Sequence, residues 1–183
     1  MTTLAEDYNY VREHVRMIPD FPKKGIMFLD ITTAVKDAKA MRMMTDFLYE
    51  KFKNENIDYI AGIESRGFIF GAALAYKLGC GFITVRKPNK LPGKTIREDY
   101  SLEYGTNSIE IHEDALKPGD RVLVIDDLLA TGGTAIAACN LMKRVGAEVV
   151  STAFIIELDP LKGRKNIESN GYKVVSMLNY DLD

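Results

Sequence analysis

The chain contains no tryptophan, and only two cysteines and two histidines among its 183 residues. Two thiols cannot make the disulfide framework of a small secreted domain, and Cys80 and Cys139 lack the close spacing of a metal site. Both are expected to be reduced and structural. His14 and His112 have no acidic or cysteine partner at a catalytic spacing, which leaves them structural or surface roles. No stretch approaches the roughly 20 apolar residues that a membrane helix needs, and residues 1–10 carry acids where a signal peptide would carry an apolar core. A cytoplasmic location with no membrane partner is the expectation. A formal net charge of -2 offers no basic excess for nucleic acid, so any cationic site must be local. Repeats and low-complexity segments are also lacking. The length suits a single α/β domain over residues 1–183, large enough to bury a real core.

Two common phosphate loops are missing as well, since there is neither the Lys-[Ser/Thr] ending of a Walker A loop nor the G-x-G-x-x-G of a dinucleotide fold. A nucleoside triphosphate is thereby disfavoured. In their place stands Arg121-Val-Leu-Val-Ile-Asp-Asp-Leu-Leu-Ala-Thr-Gly-Gly-Thr134. The aliphatic run 122–125 reads as a strand covered on both faces in a parallel sheet, with Asp126 and Asp127 at its carboxyl end, where open α/β sheets bind ligands. Gly132 and Gly133, between Thr131 and Thr134, precede a helical pattern over 135–145. Glycines let backbone N–H groups approach an anion, and a helix N-terminus adds partial positive charge. Acceptor-only carboxylates suit vicinal hydroxyls and the adjacent nest suits a terminal phosphate, which together describe a ribose 5-phosphate. Either aspartate alone would read as a helix cap or a solvated loop residue.

The remaining pattern is β-α-β grammar, which implies a mostly parallel central sheet of about five strands flanked by helices. Helices are predicted over 4–17, 38–53 and 67–78, and strands over 58–63, 81–86, 149–156 and 173–177. Residues 87–105, with two prolines, two glycines and many charges, read as a long lid, and the alternation over 108–111 is that of a hairpin partner. Glu64, Ser65, Arg66 and Gly67 sit at a strand's carboxyl end, on the side of Asp126 and Asp127. Arg66 offers a fork of donors suited to phosphate oxygens, or otherwise a surface ion pair. Arg86, Lys87, Lys90, Lys94 and Arg97 form a basic run that would ordinarily be solvated.

Five blocks in order resemble the type I phosphoribosyltransferases: 18–28 (Ile-Pro-Asp-Phe-Pro-Lys-Lys-Gly-Ile-Met-Phe), 61–68 (Ala-Gly-Ile-Glu-Ser-Arg-Gly-Phe), 86–93 (Arg-Lys-Pro-Asn-Lys-Leu-Pro-Gly), 100–105 (Tyr-Ser-Leu-Glu-Tyr-Gly) and the aspartate run. Leu-Leu-Ala-Thr-Gly-Gly-Thr resembles the version in members that use adenine. The resemblance implies transfer of phosphoribosyl from 5-phosphoribosyl 1-pyrophosphate (PRPP) to adenine, giving AMP and pyrophosphate, in a homodimer. Another purine as acceptor, or a PRPP-binding regulator without chemistry, stays open from the residues alone.

By that resemblance Asp126, Asp127, Ala130, Thr131, Gly132, Gly133 and Thr134 hold the ribose and 5-phosphate. Glu64, Ser65, Arg66, Arg86, Lys87 and Lys90 hold pyrophosphate, with a cis peptide expected at Glu64-Ser65 and Arg86 reaching toward a neighbouring subunit. Glu103 approaches the imidazole edge of the purine, and Tyr104 helps close the lid at 86–106; with Arg66 they form the catalytic set. Residues 1–35 form a hood over the base, in which Phe28 stacks on adenine, backbone groups of Met27 and Leu29 read its N1 and N6 edge, and Leu158 lines the pocket. Some relatives carry arginine where this chain has Leu29. Mg²⁺ is implied as cofactor, held mainly by PRPP and pyrophosphate rather than by a dedicated protein site.

Overall fold

The computed structural model describes residues 4–101 and 106–182. The chain opens with α1 (Leu4–His14), three residues shorter than its pattern suggests, and continues as β1 (Arg16–Ile18), paired antiparallel with β2 (Phe28–Asp30). Pro19 disfavours the helical conformation at Ile18, and pairing of Arg16 with Asp30 and of Ile18 with Phe28 draws the segment into a ribbon. A short helix that the sequence did not suggest, α2 (Thr32–Lys36), leads into α3 (Ala38–Phe52). Asp37 caps α3 by accepting from the Ala40 N–H at 2.8 Å. Met44, Phe47, Leu48 and Phe52 are buried, as their spacing requires.

The sheet is built from β3 (Tyr59–Ile63), β4 (Gly81–Val85), β7 (Arg121–Leu129), β8 (Glu148–Leu158) and β9 (Val174–Tyr180), all parallel, in the order β4-β3-β7-β8-β9. The expected five-stranded parallel sheet is therefore observed. Helix α4 (Gly67–Leu78) connects β3 to β4 and ends at Gly79, whose φ of 71° is left-handed. Helix α5 (Gly133–Arg144) connects β7 to β8, and α6 (Gly163–Ser169), preceded by a 3₁₀ turn at Asp159–Leu161, connects β8 to β9. Four aliphatic residues of β7, Val122 to Ile125, are fully buried. Alternation sends Leu123 and Ile125 into a cluster with α1, α3 and α4, and Val122 and Val124 into a second cluster with α5 and α6.

The long lid expected over 87–105 is only partly a loop. Its second half, β5 (Thr95–Ser101), pairs antiparallel with β6 (Thr106–His112) in a continuous register from Thr95 opposite His112 to Ser101 opposite Thr106. The hairpin partner read at 108–111 is thus present and longer. The ribbon lies against α5, where Glu98 accepts from Asn140 at 3.1 Å and from Arg144 at 3.0 Å. Cross-strand pairing and these contacts overcome the polar composition that made the segment look unstructured.

Strand order places the functional loops. The chain runs outward from β3 to β4, then returns through the β5-β6 ribbon to the other side of β3 before continuing outward to β7, β8 and β9. The direction reverses between β3 and β7, and at such a switch point the loops at the carboxyl ends diverge and leave a crevice. Among the described residues no helix is long and apolar enough to cross a membrane.

Candidate active site

The turn after β3 carries Glu64, Ser65 and Arg66, and its Glu64-Ser65 peptide is cis, as expected. A second cis peptide, Phe21-Pro22, was not anticipated. Arg66 crosses the crevice and donates through Nε to Asp127 Oδ2 of β7. A Cβ at Gly67 would come 2.7 Å from the carbonyl oxygen of Ile125 and 3.2 Å from Asp126 Oδ1. Glycine therefore lets the start of α4 lie directly on β7 beside the aspartates. Burial works against the charge of Arg66, yet its hydrogen bond to Asp127 and the fields of Asp127, Asp126 and Asp30 raise its pKa further.

The aspartates stand inside β7 rather than beyond it, because the strand runs on to Leu129 and pairs Asp126 with Phe154 of β8. Successive side chains point to opposite faces, so the two are not equivalent. Asp127, buried, takes Arg66. Asp126 lines a cavity of about 80 Å³ with Ala130, Thr131, Gly132, Gly133 and Thr134, and accepts from the Asp127 N–H at 2.8 Å. Burial and the neighbouring Asp127 carboxylate push the Asp126 pKa well above the ordinary carboxylate range. The cavity's volume corresponds to a few water molecules, the scale of one oxyanion rather than of a base. Gly132 has a φ of 84° at the start of α5, and the N–H groups of Gly132, Gly133, Thr134 and Ala135 meet no acceptor among the described residues. That is an anion nest on a helix N-terminus.

Arg86 and Lys87 follow β4 on the other side of β3. Arg86 Nε and the Lys87 N–H each donate to Glu64 Oε2 at 2.9 Å, so Glu64 orients the basic turn. Burial opposes the charge of Glu64, but these donors hold its pKa below the usual value. Lys87 and Lys90 are exposed. Lys94 pairs with Glu113 at 3.7 Å and Arg97 with Asp99 at 2.8 Å, both on the surface. Glu103 and Tyr104 lie outside the described residues, in the stretch linking Ser101 to Thr106. His14 and His112 bond the carbonyls of Tyr10 and Pro92, each at 2.8 Å. Burial pushes the Cys139 thiol up to about 12, so it is inert as a nucleophile at neutral pH.

In the β1-β2 ribbon, alternation along β2 buries Leu29 and leaves Phe28 half-exposed, with Phe21 edge-on to it at 5.0 Å. Met27 is exposed beside them. Leu158, at the carboxyl end of β8, is half-buried against the apolar cluster that also holds Leu29. Residues the sequence reading passed over complete the frame. Asp30 accepts from the Thr32 hydroxyl at 2.6 Å, the Thr32 N–H at 2.9 Å and Arg16 Nη2 at 2.6 Å, and the Asp-x-Thr spacing of an Asx turn could have revealed it. Glu110 holds the turn after β4 by accepting from the Asn89 N–H at 3.2 Å.

These donors, the Thr32 hydroxyl foremost and then Arg16, lower the Asp30 pKa to about 2. A depressed carboxylate contributes stability that is present above its ordinary value of 3.8 and is lost as pH falls through the folded value. Asp30→Asn is therefore expected to lower the urea midpoint at pH 7, with a gap from the parent that narrows steadily toward pH 2. A gap independent of pH would rule this account out.

Among the described residues no group of three or more His, Cys, Asp or Glu side chains gathers to hold a metal ion. The arrangement instead brings anion donors and a carboxylate pair to the two lips of one crevice.

Comparison with known proteins gives this geometry its lineage. A family model described as the phosphoribosyl transferase domain matches residues 31–181. An adenine phosphoribosyltransferase of Koribacter versatilis is 51% identical over 180 residues, 98% of each chain. The crystal structure of adenine phosphoribosyltransferase from Thermoanaerobacter pseudethanolicus has a TM-score of 0.90 at 49% identity, covering 97% of this chain and 100% of that one. The Saccharomyces cerevisiae enzyme, crystallised with an imino-altritol bisphosphate and adenine, has a TM-score of 0.88 at 38% identity over 95% and 99% of the two chains. The chain belongs to the phosphoribosyltransferase family, on its adenine phosphoribosyltransferase branch.

Proposed function

We propose that the crevice between β3 and β7 is where this chain performs its reaction, the conversion of adenine and PRPP to AMP and pyrophosphate in purine salvage. The carrying observation is that Arg66 and Asp127, 61 positions apart, meet across that crevice, with the glycine-rich turn that follows β7 beside it. In this reading the 5-phosphate occupies the nest at Ala130 to Thr134, and Asp126 and Asp127 accept from the ribose hydroxyls. Pyrophosphate lies along Ser65, Arg66, Lys87 and Lys90, while Glu64 holds Arg86 and Lys87 in position. Arg66 exchanges Asp127 for a phosphate oxygen as PRPP enters, trading one charge-assisted bond for another.

As pyrophosphate leaves C1, positive charge grows on the ribose ring; that charge favours the ionised form of Asp126 as well as of Asp127, and the two carboxylates offset it. Adenine stacks on Phe28 against Leu158, its N1 and N6 edge reading backbone groups of Met27 and Leu29. Glu103 faces the imidazole edge, and Tyr104 helps exclude water that would hydrolyse PRPP. Mg²⁺ would be held mainly by the hard oxygens of PRPP and pyrophosphate, close to Asp126 and Asp127 rather than in a dedicated protein site. Bound there, Mg²⁺ would supply charge neutralisation for the leaving pyrophosphate.

A homodimer is supported by an apolar face on α4, where Ile69 is 37% and Tyr76 is 91% exposed. Free thiols at Cys80 and Cys139, and a highly charged substrate, PRPP, that does not cross membranes unaided, support a cytoplasmic setting. The test is AMP formation from PRPP over adenine, hypoxanthine, guanine and xanthine, with and without Mg²⁺. Adenine is expected to react fastest and only with the metal; faster turnover of hypoxanthine or guanine would remove the adenine assignment.

A further inference from the structure

The phosphate nest does not stand by itself, because three consecutive residues of its loop each rest on one face of α6. A Cβ at Gly163 would lie 2.1 Å from the Ala130 carbonyl oxygen, so that carbonyl is seated directly on the helix backbone. Asn166 Nδ2 donates to the Thr131 carbonyl at 2.9 Å. At Gly132 a Cβ would meet the Ile167 side chain at 3.0 Å. Residues 163, 166 and 167 have the i, i+3, i+4 spacing that lines one stripe of a helix.

The stripe matters because a nest binds anions only when its N–H groups face inward and its carbonyls face away. By packing Gly163 against the Ala130 carbonyl and donating from Asn166 to the Thr131 carbonyl, α6 decides which way those two peptides turn. The helix is itself clamped to the sheet. Arg164 donates to both oxygens of buried Glu157 in β8, at 2.9 and 2.5 Å, and to the Val174 carbonyl and the Ser176 hydroxyl of β9, at 2.9 and 2.8 Å.

We infer that α6 is the template of the phosphate loop and that Asn166 is a positioning residue for the 5-phosphate of the substrate, acting through the Thr131 peptide. The inference rests on the reading of that loop as the phosphate site. Asn166 is exposed and packs little, so its loss should act on the loop rather than on folding.

The experiment compares the parent with Asn166→Ala and Asn166→Asp in steady-state kinetics and in calorimetric titration with ribose 5-phosphate. Asn166→Ala is expected to raise the KM for PRPP and the Kd for ribose 5-phosphate by about two- to tenfold, the equivalent of one neutral hydrogen bond. The KM for adenine, kcat and Tm should stay near parental values. Asn166→Asp places an acceptor against the Thr131 carbonyl and a negative charge beside the nest, so its effect should be larger. Unchanged binding of both phosphate compounds by Asn166→Ala would overturn the inference, as would equal rises in both KM values with a fallen Tm. A parent that binds neither PRPP nor ribose 5-phosphate would instead overturn the phosphate reading beneath it.

Discussion

Arg66→Ala is expected to lower kcat/KM for PRPP by about 10² to 10³, the usual consequence of removing one preorganised donor from a developing anion. Two separate losses combine in it. The guanidinium no longer meets the departing pyrophosphate, and Asp127, only 6% exposed at its side chain, loses its partner. Stranding a fully buried charge costs several kcal/mol, but Arg66 is 44% exposed, and solvent screening reduces the figure to about 1–2 kcal/mol. Urea unfolding should register that smaller loss. Arg66→Lys keeps charge and loses the planar fork, so its turnover should fall between parent and alanine. The double variant Arg66→Ala with Asp127→Asn removes the stranded charge, so stability should largely return while activity does not. Turnover of Arg66→Ala close to the parent's would take Arg66 out of the leaving-group site.

Glu103→Ala should lower kcat by about 10² to 10⁴, the range for a positioned acid or base, with the unfolding transition unchanged. Ser101 and Thr106 are paired across the ribbon, the ribbon is tied to α5 through Glu98, and the Thr134 hydroxyl at the start of α5 donates to the Tyr100 hydroxyl at 3.1 Å. The ribbon that flanks Glu103 is thus tethered to the start of α5, where we propose the 5-phosphate sits. Glu103→Gln separates proton transfer from hydrogen bonding, since the amide can still contact the purine edge but cannot exchange a proton there. If both variants turn over at the parental rate, Glu103 has no part in the chemistry.

Much of this was legible along the chain because it is encoded between near neighbours. The aliphatic run 122–125 announced a strand buried on both faces, and Met44, Phe47, Leu48 and Phe52 announced a helix, since side-chain period and backbone geometry are local properties. The glycines of 132–133 announced a tight turn into a helix for the same reason. The misreadings fall where a partner far along the chain decides. Residues 15–17 continued a helical pattern until pairing with β2 drew Arg16 and Met17 into a strand, and residues 95–101 looked like loop until β6 paired with them.

By itself, then, the sequence determined the alternation of strands and helices, the run from Asp126 to Thr134 and the family likeness carried by five ordered blocks. Only the tertiary structure decided that β3 and β7 are neighbours, which brings Arg66 to Asp127, and that α6 turns the carbonyls of Ala130 and Thr131 away from the nest. Strand order and peptide orientation depend on contacts between residues tens of positions apart, and no local period records them.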